Sequence, residues 1–399
     1  MILSDIAEYV TEKVNSDKIT LNQYVTTDSL LQNKRGRQTA QNLPPMPCVL
    51  TSYSQGDILI SNIRPYLKKI WFADSNGGCS TDVLVFRAKK GHSSNFLFAL
   101  LMQDAFFSYM MQGSKGSKMP RGDKNQIVHY KVPTFSSFEE ENIGNIIVNI
   151  ERKIALNRQI NDNLEAMARQ LYDYWFVQFD FPNENGKPYK SNGGKMVWNE
   201  KLKRNIPNKW NNGILSNIAN ITMGQSPDGS SYNENGNGTI FYQGSTDFGI
   251  RFPSIRKYTT APSRFAKKGD ILMSVRAPVG AMNIANNDCC IGRGLTSLSS
   301  KVGSTTHLYY ILDDLRMKFE NINSAGTTFG ALTKDGLYGL PVVVPSVDII
   351  KQFEDICKPI FDKQMCIGEE INALTKQRDE LLPLLMNGQA TVNYHLSVD

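Results

Sequence analysis

Cysteine is sparse and scattered. Cys48, Cys79, Cys289, Cys290, Cys357 and Cys366 show no CxxC spacing in a chain of 399 residues. That excludes a disulfide scaffold and the common structural zinc sites, and it suits reduced packing residues in a cytoplasmic protein. Histidine is scarcer still. His92, His129, His307 and His395 have no partners at metal-ligand spacing, so no metal is expected. Long apolar runs are missing, which excludes a helical membrane span, and Met1-Ile2-Leu3-Ser4-Asp5 lacks the basic start and apolar core of a signal peptide. No phosphate loop is present: Gly113–Lys118 comes nearest and has the wrong spacing, while Gly236-Asn237-Gly238 and Gly292-Arg293-Gly294 are isolated GxG pairs. No Ser-His-Asp or Cys-His set recurs between the halves. A chain this long without a catalytic constellation reads as a binding or adaptor subunit.

What the chain does have, it has twice. From Ile143 the positions Ile147, Ile150, Ile154, Asn157, Asn161, Leu164, Ala168, Leu171 and Trp175 step by four and three, the rhythm of a heptad seam. Ser137 with Glu140 reads as the capping box that opens this helix. The same rhythm returns in Phe353, Cys357, Ile360, Gln364, Ile367, Ile371, Leu374, Arg378, Leu381 and Leu385, with Gly388 as a stop and Pro383 expected to kink or loosen the last turn. The flanking sequence repeats as well. Leu3-Ser4-Asp5-Ile6-Ala7 returns as Leu215-Ser216-Asn217-Ile218-Ala219, and Gly56-Asp57-Ile58-Leu59-Ile60-Ser61 returns as Gly269-Asp270-Ile271-Leu272-Met273-Ser274. Arg64-Pro65 is matched by Arg276-Ala277-Pro278, and Val132-Pro133 by Val344-Pro345. An ordered series at one offset is an internal duplication.

The reading is therefore an α+β chain: a globular domain over 1–136, a long helix over 137–176, a basic connector over 177–210, a second globular domain over 211–346, a second long helix over 347–387 and a tail over 388–399. If the two seams pair, the simplest arrangement is an antiparallel coiled coil, a rod of roughly 60 Å with the domains related by an internal pseudo-twofold repeat. Charge divides along the same lines. Residues 1–136 hold 16 Lys+Arg against 10 Asp+Glu and residues 211–346 hold 12 against 9, whereas the helices hold 4 against 7 and 5 against 8. Basic heads on acidic helices suit heads that meet a polyanion; ordinary solvated surfaces are the alternative.

Within the first head a short helix is expected around Leu3–Val14, strands over Asp57–Ile63, Lys69–Ala73 and Val83–Arg87, and a buried helix over Phe96–Met111. Gln112–Lys124 (QGSKGSKMPRGDK) is a glycine-rich basic loop, either a segment that wraps a phosphate chain or a mobile linker. In the second head strands are expected over Phe241–Gly249, Gly269–Val275 and Cys290–Leu298, with a helix over His307–Phe319. Met223–Gly238 (MGQSPDGSSYNENGNG) is a long loop with no evident twin, and Ser324–Lys334 (SAGTTFGALTK) occupies the place of the basic loop with one lysine. A shared framework with unequal loops is what two readers of different sequences would need.

Taken together, the GDIL-S…R-P strands, SAGTTFGAL leading into LPVVVPS, the MGQSPDGSSYN loop, both long helices and the connector FPNENGKPYKSNGGKMVWNEKLKRNIPNKW resemble the specificity subunit of type I restriction-modification systems, over essentially the whole chain. The chain departs from that pattern in starting almost directly at Leu3-Ser4 and in lacking the usual Glu-Gln pair at Pro345-Ser346-Val347-Asp348. The resemblance implies that each head is a target-recognition domain reading one half of a bipartite, asymmetric site in double-stranded DNA. The helices would set the spacer and dock two modification (methyltransferase) subunits, with a restriction (motor) subunit joining the complex. S-adenosylmethionine, ATP and Mg would be bound by those partners, and this chain would carry no cofactor and no catalytic residue. The expected DNA-contacting donors are Arg64, Lys115, Lys118, Arg121 and Lys124 in the first head, and Ser226, Arg251, Arg276, Thr327, Thr328 and Lys334 in the second. Asn157 and Asn161 are assigned to register within the helix pair, with solvated seam polarity or a partner contact as alternatives. The competing readings are a single-chain DNA methyltransferase or nuclease with divergent motifs, which methyl transfer by the chain alone would favour, and a coiled-coil scaffold that binds no DNA.

Overall fold

In the computed structural model, which describes residues 1–316 and 332–391, Gly56-Asp57 and Gly269-Asp270 perform the same task. Both glycines take positive φ, +90° and +93°, the left-handed region that side chains disfavour. The aspartates close the turns: Asp57 accepts from the Ser54 N–H at 2.7 Å and Asp270 from the Lys267 N–H at 2.9 Å. Each turn launches an inner strand of a four-stranded antiparallel sheet. In the first head the order is Ala7–Tyr9, Val83–Ala88, Ile58–Ser61, Ile70–Phe72. In the second it is Ala219–Met223, Leu295–Ser300, Ile271–Ser274, Met282–Ile284.

Every residue of Ile58–Ser61 and Ile271–Ser274 is buried, so alternate side chains serve two cores, one on each face of the sheet. Ile58 and Ile60 pack with Phe96, Leu97 and Phe106, whereas Leu59 packs with Tyr53, Trp71 and Val85. Ile271 and Met273 likewise pack with Leu308 and Leu312, and Leu272 with Tyr242, Ala266 and Ile291. Each such side chain contributes about 1.5–3 kcal/mol when fully buried.

The second face carries a second sheet in both heads. The strand pair Tyr24–Val25 and Gly77–Cys79 is parallel, and so is Thr239–Tyr242 with Cys289–Ile291; the remaining pairs are antiparallel. The expected strand over Cys290–Leu298 is therefore two strands in different sheets, separated by Gly292-Arg293-Gly294.

The expected helix over Leu3–Val14 is one turn, Leu3–Ile6, whose Asp5 carboxylate accepts from the Ile2 N–H at 2.8 Å. Pairing of Ala7–Tyr9 with Phe86–Ala88 then takes the chain into the sheet, so tertiary pairing overrides helical patterning. The helix expected over Phe96–Met111 is also two, Ser94–Leu101 and Asp104–Gln112. It breaks at Gln103, whose backbone is extended, and Asp104 opens the second piece with salt bridges to Lys34 and Lys68 at 2.7 and 2.8 Å. The second head's helix is Thr305–Asp314, capped by Ser304.

The long helices run over Ser137–Tyr172, extended by a π-helical turn at Asp173–Val177, and over Val347–Met386. The first starts at the expected residue, but its capping box is Ser136 with Glu139 rather than Ser137 with Glu140. Ser136 accepts from the Glu139 N–H and Glu139 accepts from the Ser136 N–H, which frees Glu140 for another partner. Pro383 lies within the second helix, and Gly388, at φ +74°, follows its end. None of the seam positions on either helix is exposed.

Contacts divide the chain into two units, and the division cuts through both helices. One unit is Met1–Leu156 with the described residues from Asn372 on; the other is Asn157–Ile371. The helices are thus shared between the heads rather than forming a separate body. In the first unit Ile143, Ile147, Leu382 and Leu385 join the core of the head. In the second, Ala168, Tyr172 and Trp175 join Phe353, Cys357 and Phe361. Within each unit the partners on one helix fall in number as those on the other rise, so the two segments are antiparallel there. Arg378 reaches Glu151 in the first unit; Asn157 reaches Glu370 and Tyr172 packs on Phe353 in the second.

The connector is not a loose linker. Its strands Met196–Asn199 and Arg204–Pro207 form a hairpin, and Phe181 stacks on both Tyr189 and Trp210 at 4.7 Å. Among the described residues no helix is long and apolar enough to cross a membrane.

Candidate nucleic-acid interface

A carboxylate from a long helix anchors each head. Glu140, buried, accepts from the Ser93 N–H at 3.2 Å and bonds His92 Nδ1 at 3.0 Å, at the start of the helix Ser94–Leu101. Glu354 accepts from Ser304 Oγ at 2.6 Å, Thr306 Oγ1 at 2.5 Å and the Thr306 N–H at 3.2 Å, at the start of Thr305–Asp314. Both carboxylates complement the unpaired N–H groups and positive dipole end of a helix.

Beyond each inner strand a hydroxyl folds the chain back. Ser61 Oγ donates to the Ile63 carbonyl at 2.9 Å, and Ser274 Oγ donates to the Arg276 carbonyl at 2.7 Å. The exposed Arg64 and Arg276 follow. Arg64 has left-handed backbone at φ +51°, whereas the second head proceeds through a cis Ala277–Pro278 bond.

The basic loop of the first head docks on this turn. The Gly122 N–H donates to the Asn62 carbonyl at 3.1 Å and the Arg64 N–H to the Pro120 carbonyl at 2.8 Å. Lys115 and Arg121 exchange N–H···O bonds at 3.0 Å in both directions, closing the loop on itself. The structure therefore brings Arg64, Lys115 and Arg121 onto one docked turn, with Lys118 exposed between the loop's two arms. Lys115 and Arg121 are held by Asp123 (3.5 Å) and Asp82 (3.2 Å), and both cations stay exposed. Neutralising cations on a closed loop can meet a phosphate chain at small cost in ordering.

The second head re-enters its sheet at the same point. The Leu332 N–H donates to the Val275 carbonyl at 2.8 Å, as Gly122 does to Asn62. A short helix follows each time. Asp123 caps Lys124–Ile127 and Thr333 caps Lys334–Tyr338, so Lys124 and Lys334 are both exposed first residues of equivalent helices. Thr327 and Thr328 lie outside the described residues.

Ser226 is half-buried, and its hydroxyl accepts from the Arg293 N–H at 3.2 Å. Its loop is stitched down further by the Gly224 N–H to Leu295 carbonyl and Gln225 N–H to Ile291 carbonyl bonds. This places the exposed Arg293 beside Ser226, a cation that sequence reading passed over as part of an isolated GxG. Its signal was a lone arginine between two glycines, each of which has Gln243 backbone within 3.1 Å of where a side chain would begin.

Arg251 does not belong with the surface set. It is 6% exposed, its Nη1 donates to Glu165 Oε2 at 2.9 Å and its Nη2 to Gln364 Oε1 at 2.7 Å. Its guanidinium lies over Phe361 and Tyr309 at 4.1 and 4.7 Å, so aromatic faces and helix carboxylate take the place expected for DNA.

Of the seam asparagines, Asn157 donates across to Glu370 Oε2 at 2.9 Å. The Asn161 carbonyl accepts from Gln364 Nε2 at 3.2 Å, while its buried side-chain amide has no hydrogen-bond partner. Among the described residues no cluster of three or more His, Cys, Asp or Glu side chains is arranged to hold a metal.

A family model described as the type I restriction modification DNA specificity domain matches the chain twice, over residues 9–166 and 207–376. A candidate type I restriction enzyme MjaX specificity subunit of Methanocaldococcus jannaschii is 31% identical over 354 residues, 84% of this chain and 79% of that protein. The type I restriction enzyme HindI specificity subunit of Haemophilus influenzae is 23% identical, covering 97% of this chain and 98% of that one. Among solved structures, the S subunit of a type I restriction-modification system from M. genitalium aligns with TM-score 0.59 at 14% identity, over 97% of this chain and 95% of that one, a likeness of fold.

Proposed function

Because the chain belongs to the type I restriction-modification specificity-subunit family, whose members recognise DNA and are not themselves enzymes, we propose that its two heads read the two halves of a bipartite, asymmetric site. The observation that carries this reading is the pair of equivalent re-entry points, Gly122 on Asn62 and Leu332 on Val275, at which one framework accepts loops of different sequence. Direct readout needs variable side chains on a fixed support, because phosphate contacts set position and base contacts set specificity. Arg64, Lys115, Lys118, Arg121 and Lys124 serve the first half-site; Ser226, Arg276, Lys334 and the newly placed Arg293 serve the second.

The long helices, as a coiled-coil pair, set the spacer and dock two modification subunits, which bind S-adenosylmethionine. A restriction subunit supplies ATP-dependent, Mg-dependent cleavage. Support comes from the division of each helix between the heads and from the anchoring of each head through Glu140 or Glu354. Mapping methylated adenines genome-wide in a host carrying this chain and its modification subunit tests the reading. A two-part motif with a fixed gap is expected; a continuous motif, or none, overturns it.

A further inference from the structure

Arg251 makes no use of its charge at the surface, and its surroundings assign it other work. It sits nine positions after the last residue of Thr239–Tyr242, the strand that pairs in parallel with Cys289–Ile291. Its backbone is tied to its own head, since the Ile284 N–H donates to the Arg251 carbonyl at 2.9 Å and Asn283 pins Gly249 with bonds of 3.0 and 3.1 Å. Its side chain is tied to both long helices, through Glu165 on the first and Gln364 on the second. Glu165 is held in turn by Tyr310 Oη and Gln364 Nε2, each at 3.2 Å. The neighbouring Phe252 closes on Gly368, where a Cβ would lie 2.6 Å from the ring. One residue thus joins sheet, first helix and second helix with directed bonds in a buried setting.

The first head has a cation in the same slot. Lys34 lies nine positions after the last residue of Tyr24–Val25, the strand that pairs in parallel with Gly77–Cys79. It is 7% exposed, its N–H donates to the Lys68 carbonyl at 2.8 Å, and its ammonium meets Asp104 at 2.7 Å and Asp379 of the second long helix at 3.8 Å. In both pairs the lysine is buried and the carboxylate exposed. Such pairs give little net stability, and a directed contact of this kind is better suited to select one geometry over its neighbours.

Resting on the reading of the chain as a bipartite-site specificity subunit, we propose that Arg251 and Lys34 are positioning residues that fix the angle at which each head meets its helix segments, and so sharpen discrimination between spacers of adjacent length. Arg251, with two directed bonds and two aromatic faces, holds its angle more tightly than Lys34, a point charge reaching Asp379 at longer range.

The test uses the complex of full chain and modification subunits, methylating duplexes that carry both half-sites with the native spacer or one base pair more or less. Arg251→Met keeps an unbranched apolar stem in the buried slot and removes the guanidinium with its directed bonds. It is expected to lower the preference for the native spacer roughly tenfold with both half-site sequences unchanged. Arg251→Lys should restore part of that preference, and Lys34→Met should show a smaller loss. Unchanged spacer preference in a folded Arg251→Met complex overturns the proposal. If that variant does not fold, Glu165→Gln decides by the same readout, since it keeps the shape and removes the charge. A wild-type complex that methylates no bipartite site would instead overturn the functional reading beneath the proposal.

Discussion

The first and second units share sheet order, turn chemistry and helix capping, but spend their cations differently. In the first, five exposed Lys and Arg side chains stand on or beside one docked loop, and the slot cation Lys34 is a modest anchor. In the second, the exposed candidate donors Arg276, Arg293 and Lys334 are spread over three segments, and the slot cation is an arginine buried against two helices. Duplication preserved what each sheet needs in order to close. It left free what faces outward, and the loops diverged there.

The largest expected effect comes from exchanging a whole head. Replacing residues 1–136 with the corresponding head of another family member should change one half-site entirely and leave the other untouched. Methylome mapping of the chimera reads both halves at once. A change in both would mean that the heads are not independent readers.

Two close approaches sharpen the comparison at the level of stability. A Cβ on Gly144 would lie 2.4 Å from the Phe96 nitrogen and 2.5 Å from the Asn95 carbonyl carbon, where backbone must move. At Gly368 the obstacle is the Phe252 ring, which can turn. Gly144→Ala should therefore destabilise the first unit by about 1–3 kcal/mol, and Gly368→Ala should cost the second unit less. Hydrogen exchange resolved by unit measures both. Equal losses would show that the Phe252 ring is as immovable as backbone.

Acid separates the units next. His307 is buried among Phe176, Tyr172 and Phe353, with Phe176 at 4.5 Å, and burial pushes its pKa down to about 3. The unfolded chain takes up that proton near pH 6.5 and the folded chain does not. The contribution is whole above about pH 6.5 and falls by up to about 1.4 kcal/mol per pH unit on acidification towards about 3. In the first unit, burial alone would raise the Asp104 pKa, but Lys34 and Lys68 outweigh it and hold the carboxylate below its usual range. Its stabilising contribution is lost only at lower pH, below the ordinary carboxylate range. Between pH 7 and 5 protection against exchange, corrected for the intrinsic slowing of exchange in acid, should fall in the second unit first, and His307→Phe should flatten that response. Loosening of both units in parallel would count against the burial of His307 as its cause.

Much of this framework was legible because period and repetition are local signals. The return of Gly56-Asp57-Ile58-Leu59 as Gly269-Asp270-Ile271-Leu272 marks both inner strands, and the four-three rhythm marks both long helices, with Gly388 as the stop of the second. What escaped depended on partners distant in sequence. Tyr9 lies on a helical pattern, but Phe86 draws it into a sheet. Gln103 breaks an apolar run because Lys34 and Lys68 hold Asp104. Arg251 looked like a surface donor, since nothing near it in sequence reveals Glu165 or Phe361. The same lesson places Lys124 and Lys334 in one slot: their equivalence appears once Gly122 and Leu332 are seen to dock alike.

That equivalence supports the finest comparison. Lys124 and Lys334 open matching short helices, so Ala at either should weaken DNA binding by the assembled complex to a similar extent. Lys118 has no described counterpart in the second head. As an exposed cation between the two arms of the closed loop it suits a phosphate contact without base readout. One phosphate contact contributes a salt slope of about 0.9, worth roughly threefold in affinity near physiological salt. Lys118→Ala should thus lower affinity about threefold, reduce the slope by about one, and leave the methylated motif unchanged. Titrations at several salt concentrations, paired with methylome mapping, separate these outcomes. A shifted motif would make Lys118 a base reader, and an unaltered slope would remove it from the interface. The second result would move the first head's recognition surface from the loop's exposed arm to the docked turn around Arg64 and Arg121.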